Sequence, residues 1–150
     1  MFSNACKYGI RAITYVASQS IDGNRVNISE ISENADCPEA FISKILSSLK
    51  RKGLIESYKG VQGGYEISKE LMHTIKVSDI VDAIDGDTVY NGCALGLHKC
   101  DPKNPCPLHF KFVRIRENLK LMLESTSIYD LAIELKTGKS TLINTSFSDN

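Results

Sequence analysis

No apolar run in this sequence is long enough to cross a bilayer. The opening stretch MFSNACKYGIRAITYVASQS interrupts its apolar pattern with Lys7 and Arg11, so it reads as neither a signal peptide nor a membrane span. That absence points to the cytoplasm. Proline is scarce, 4 in 150 residues, and there is neither an internal repeat nor a low-complexity tract, so one domain with a real core is expected, with at most an appended arm. Cys-x-x-Cys pairs, phosphate-cradling glycine loops and recognisable catalytic constellations are all missing, which argues against an enzyme or an electron carrier. Net charge is missing too: 18 basic and 18 acidic side chains balance, and the total says nothing about nucleic acid. Their distribution says more.

The first segment places Ala5, Tyr8, Ala12 and Tyr15 or Val16 at helical spacing and runs out at the turn Asp22-Gly23-Asn24. In NISEISENADCPEAFISKILSSLKRKG, Asn27 with Glu30 can cap a short helix through Ala35, and Pro38 suits the first turn of another that ends at Gly53. Two β-prone runs, 54 to 58 and 65 to 68, flank a glycine-rich connection and read as a hairpin. VSDIVDAIDG then predicts a brief helix with Ser78 as cap and Gly86 as stop. From Pro107 the pattern is helical again, and Leu108, Phe112, Ile115, Leu119 and Met122 alternate steps of four and three, a seam that a lone helix cannot bury. TSIYDLAIELKTG adds a last short helix, and STLINTSFSDN is a polar tail expected to be disordered.

A tight helix pair followed by a two-stranded hairpin is the winged helix-turn-helix arrangement, whose second helix enters a DNA major groove. Advancing about 100° per residue from Ile42 keeps Ile45, Leu46 and Leu49 within about 60° of it, while Ala40, Lys44, Ser47 and Arg51 cluster opposite with Ser43 beside them. Residues 41 to 60 carry Lys44, Lys50, Arg51, Lys52 and Lys59 against the single acid Glu56, a local positive patch suited to phosphates. The hairpin tip adds Lys59 and Gln62 among glycines that permit close backbone approach. Ser43, Lys44, Ser47, Arg51, Lys59 and Gln62 are therefore the expected DNA-contacting residues. On an isolated helix the same charges would be merely a solubilising surface.

Three of the five cysteines, Cys93, Cys100 and Cys106, fall in CALGLHKCDPKNPCPLH, and an odd set in a reducing compartment is poorly explained as a disulfide framework. Their gaps of six and five residues are longer than the two to four that usually open a structural zinc site, and they fit a loop wrapped round a larger cofactor. Cys106 stands at the presumed start of the long helix, where the helix dipole favours an anionic group. The residues alone leave an iron-sulfur cluster, a zinc ion and incidental thiols open. Cys37 reads as a small core residue and Cys6 as a residue near the start of the first helix with no sequence partner, His73 as surface and His98 as an exposed loop histidine. Tyr8, Tyr15 and Tyr58 read as packing residues.

YGIRAITYVA, EISENADCPEAFISKILSSLKRKGLIES, KGVQGGYEIS and VSDIVDAIDG together resemble the family of bacterial winged-helix repressors that includes IscR and NsrR, over residues 3 to about 135. The resemblance implies a mainly α fold with a small β-hairpin wing and a long C-terminal dimerisation helix. It implies a DNA-binding unit at 1–86, a cluster loop at 87–106, a dimerisation helix and short last helix at 107–137, and a tail at 138–150. It also implies a homodimer on a palindromic double-stranded operator, and an iron-sulfur cluster whose state controls DNA affinity in response to redox, nitric oxide or iron-sulfur status. In IscR-like proteins a histidine three positions after the third cysteine completes a 2Fe-2S site. Here that histidine is His109, so Cys93, Cys100, Cys106 and His109 are the implied ligands and 2Fe-2S is favoured over 4Fe-4S. NsrR-like proteins use an Asp of the first helix where this chain has Lys7, and IscR-like proteins contact bases through a Glu where this chain has Ser43. The cysteine loop is expected to pack between wing and dimer helix. A winged-helix regulator with structural zinc, or with no metal, is the alternative.

Overall fold

The computed structural model describes residues 1–143; the end of the polar tail, 144–150, lies outside the described residues. Ser3 starts the chain's first helix by accepting the Cys6 N–H at 3.0 Å, and α1 (Asn4–Ser20) buries Cys6, Ala12, Ile13, Val16 and Ala17 completely. The Asn-x-x-Glu spacing makes the reciprocal cap it predicts. Asn27 Oδ1 accepts the Glu30 N–H at 2.9 Å and the Glu30 carboxylate accepts the Asn27 N–H at 3.0 Å, which begins α2 (Ile28–Ala35). Asp36 turns the chain with φ 50°, and α3 (Glu39–Arg51) follows with Pro38 at its N-cap rather than inside its first turn. Ile42, Ile45, Leu46 and Leu49 face the core, as their spacing requires.

The hairpin is shorter than the sequence suggests. β1 (Glu56–Tyr58) and β2 (Gly64–Glu66) pair antiparallel with Ser57 opposite Tyr65, while Ile55 and Ile67 are buried at its base. The Ile67 N–H donates instead to the Ser20 hydroxyl at 3.0 Å, which takes that amide out of the ladder. Val26 supplies a third rung by exchanging backbone bonds of 3.1 and 2.8 Å with Tyr65.

A helix the sequence did not announce follows. α4 (Lys69–Thr74), capped by Ser68, is too short to show a period. In α5 (Val77–Asp85) the expected cap Ser78 lies inside the helix, buried, and Lys76 is the N-cap, its N–H donating to Asp79 at 2.8 Å. The cause is tertiary: Val77 N–H bonds Thr126 O at 2.9 Å and Ile128 N–H bonds Ile75 O at 3.0 Å, so the neighbouring backbone starts the helix earlier. Gly86 ends it at φ 67°. A single turn, α6 (Thr88–Asn91), leads into the cysteine loop, and α7 (His109–Ser125) and α8 (Ile128–Lys136) complete the described chain.

α1 is the hub, packing on α2, α3, α5 and α8, and α5 in turn carries α7. Gly9 lets α1 approach closely, because a Cβ there would run into the Ile84 side chain. α7 fully buries only His109 and Leu123. Of the expected seam, Phe112 and Leu119 are half-buried, while Leu108, Ile115 and Met122 stand exposed at 41%, 51% and 52%. Among the described residues no helix is long and apolar enough to cross a membrane.

Candidate functional site

Two surfaces carry the chemistry. On α3, Ser43, Lys44, Ser47 and Arg51 are exposed and, with Lys50, line one shallow groove. The Ser47 hydroxyl donates to the Ser43 carbonyl at 2.9 Å, which leaves its lone pairs outward as acceptors. The turn that aims this helix is held from α1. Arg11 Nε donates to Ala35 O at 2.7 Å, its Nη2 donates to the Ala35 and Asp36 carbonyls, and the same group pairs with the Asp36 carboxylate at 3.7 Å. Those carbonyls end α2 and would otherwise lack partners.

In the wing, Lys59 and Gln62 are exposed at the tip. Tyr58 is not the packing residue its type suggests. It is 41% exposed, its hydroxyl donates to Glu56 at 2.8 Å, and the Arg25 guanidinium lies over its ring at 3.7 Å. Arg25 also bonds Glu66 at 3.1 Å and the Gln62 carbonyl at 3.1 Å, so one cation from the turn before α2 ties both strands and the connecting tip. Sequence reasoning missed Arg25 because its partners lie more than thirty residues downstream.

The cysteine loop folds against α6 and α7. The backbone N–H groups of Leu95 and Leu97, with smaller help from the Cys106 side chain and the Gly96 N–H, hold the Cys93 thiol below its ordinary range. Cys100 Sγ lies 3.4 Å from His109 Nδ1, and His109 is buried at the start of α7 with its own N–H on Cys106 O at 3.0 Å. Among the described residues no three Cys, His, Asp or Glu side chains converge as a single metal ion would need.

A third group, unforeseen, reaches the same place. Arg116 Nη2 donates to Cys100 Sγ at 3.1 Å and its Nη1 to Gly92 O at 2.8 Å. Arg116 sits seven residues after His109, two helical turns on and so on the same face, a spacing that could have flagged it. The open groove here is about 720 Å³, lined by Cys93, Cys100, His109, Tyr90 and Arg116 among others. Among the described residues the buried side-chain polar atoms without a partner are Tyr90 Oη and Arg116 Nε, both on residues of this groove. His98 lines it too, exposed, and wing residues do not, so within one protomer the loop packs on α6 and α7 rather than between wing and dimer helix. His73 is exposed and stacks on Tyr129 at 4.0 Å; Cys6 and Cys37 are buried.

Residues 2–134 match the Rrf2 family model, described as an iron-dependent transcriptional regulator. The chain is 30% identical over 134 residues to an HTH-type transcriptional regulator of Aquifex aeolicus, spanning 87% of this chain and 90% of that protein. It is 27% identical over 125 residues to the HTH-type transcriptional regulator IscR of Yersinia pestis, spanning 83% and 74%. Among solved structures, CymR, the global cysteine regulator of B. subtilis, superposes with a TM-score of 0.70 at 23% identity, covering 89% of this chain and 96% of that one. T. potens IscR superposes with a TM-score of 0.70 at 20% identity, covering 94% and 92%. At those identities the structures speak for the fold: a mainly helical winged helix with a two-stranded hairpin.

Proposed function

The chain belongs to the Rrf2 family of transcriptional regulators, and from that premise we propose that it is a homodimeric repressor whose affinity for a palindromic operator is set by a 2Fe-2S cluster on Cys93, Cys100, Cys106 and His109. The observation that carries this reading is the pairing of Cys100 Sγ with His109 Nδ1 at 3.4 Å, in a groove that Cys93 also lines. A mononuclear zinc site needs four ligands round one point, whereas a two-iron centre takes them as two pairs, and histidine can replace cysteine on an iron. The surroundings fit the group as well: a guanidinium at Cys100 Sγ and two unsatisfied buried donors beside the groove are what an anionic sulfide-bearing centre would use. Bound there, such a cluster supplies one-electron chemistry and a centre open to oxidants or nitric oxide.

The chain's own residues carry the consequence outward. His109 and Arg116 tie the loop to α7, α7 packs on α5, α5 on α1, and α1 holds the α2–α3 turn through Arg11. A change in how the loop grips α7 therefore biases the pose of Ser43, Lys44, Ser47 and Arg51, with Lys59 and Gln62 of the wing as flanking contacts. The exposed row of Ile115 and Met122 on α7, continued by Leu108 at its N-cap, supports the dimer, since a second copy of the helix would bury it.

Anaerobic purification tests the reading. A coloured protein with about two irons and two sulfides per chain is expected from the 2Fe-2S assignment, and DNA affinity should change when the cluster is oxidised or removed. Colourless protein that carries zinc, with unchanged operator binding after chelation, would sink it.

A further inference from the structure

We propose that Arg116 is a built-in electrostatic partner of the cluster, a positioning residue that is not itself a ligand but holds Cys100 in place and sets the cluster's reduction potential. The proposal rests on the cluster reading above. The guanidinium clasps the loop at two points, the Gly92 carbonyl just before Cys93 at 2.8 Å and Cys100 Sγ at 3.1 Å. Its Nε is buried and has no partner, which is costly unless something in the groove accepts from it. Arg116 is half-buried on the face of α7 that also presents His109, so its position is set by the helix and not by a flexible stem in solvent.

A permanent cation donating N–H···S to a ligand sulfur favours the more negative, reduced state of a cluster, because the added electron meets a fixed positive charge at short range. Arginine suits the place and lysine does so only in part, since the planar fork reaches a carbonyl and a sulfur at once while an ammonium is a single point charge. Lys99 also lines the groove but is exposed, so its charge is screened by water and cannot substitute.

The test is a dye-mediated anaerobic redox titration of the full-length protein, followed in the visible spectrum with dithionite as the electron source, on the parent, Arg116→Met and Arg116→Lys. The Met variant keeps the stem's packing and removes charge and donors, so its midpoint should become more negative. The Lys variant should fall between the two. In the cluster-free proteins, hydrogen exchange of the 92–106 amides should be several-fold faster in Arg116→Met, since both points of the clasp are gone. Loss of the cluster from Arg116→Met, with helical circular dichroism intact and the parent still loaded, would support the positioning role. If the parent and both variants hold the cluster at one potential, the proposal falls and the cluster reading stands. If helicity collapses in the variants, Arg116 belongs to the fold alone and the proposal falls. If the parent itself binds zinc and no iron, the cluster reading falls and takes the proposal with it.

Discussion

Lys44 and Arg51 are exposed and, among the described residues, held in no ion pair, so both charges are free to meet phosphates. Replacing both by Ala should weaken operator binding and flatten its salt dependence, the slope falling by about one per lost phosphate contact; a fluorescence anisotropy series at several salt concentrations measures it, and an unmoved slope excludes them as phosphate contacts. Among the proposed ligands, Cys93→Ala should abolish the proposed cluster, whereas His109→Ala should leave one that decays faster and responds more to pH, because imidazole is a neutral, protonatable donor. Visible absorbance against time in air distinguishes the two. Away from the site, burial, followed by the nearby Asp85 carboxylate, pushes the Cys6 thiol from 9.0 up to about 12. The folded state therefore keeps a proton that the unfolded chain releases, so this contribution is whole below pH 9 and fades as pH climbs toward 12. Urea midpoints between pH 8 and 10.5 should decline with rising pH, and less steeply in Cys6→Ala.

Elements show where local chemistry suffices and where it does not. The cap of α2 is local, and Asn27→Ala should cost about 1 kcal/mol in urea unfolding. The wing is not. Gly64 adopts φ 130°, and a Cβ there would sit 2.8 Å from the Val26 carbonyl oxygen that accepts the Tyr65 N–H. Gly64→Ala should therefore destabilise the protein by about 1 to 3 kcal/mol and loosen the third rung of the wing; a melting curve unchanged from the parent would show that the strand can shift to accept it. The hairpin was legible as a hairpin, because alternating β-prone residues round a glycine cluster are a short-range signal. Its true length was not, since Ser20 takes the Ile67 amide from 47 residues away. The start of α5 escaped for the same reason, through the 75–77 and 126–128 backbone pairing.

At the scale of the whole molecule, the exposed row on α7 is the surface on which the proposed dimer is tested. Ile115 and Met122 are half exposed in the protomer, while Leu119 packs partly against the core, so the informative pair is Ile115→Asp with Met122→Asp. The protomer should fold, but facing like charges buried across a dry interface would cost several kcal/mol each. Light scattering should then report monomer, and binding to a full palindrome should drop toward that of a half-site. A clean dimer would place the interface elsewhere.

What the sequence determined by itself is what neighbours within a few positions determine: the Asn27–Glu30 cap, the Ile42, Ile45, Leu46, Leu49 face that orients α3, the left-handed stops at Gly53 and Gly86, and the grouping of three cysteines ahead of a helix. Those signals work because caps and periodicity act over one or two turns. Only the tertiary structure paired Cys100 with His109, laid Arg25 across both wing strands, brought Arg11 to the α2–α3 turn and set Arg116 against the loop. Each of the three arginines reaches partners 16 to 41 residues away, and their bonds exist because a long cationic side chain must find acceptors wherever packing of the apolar faces happens to bring them.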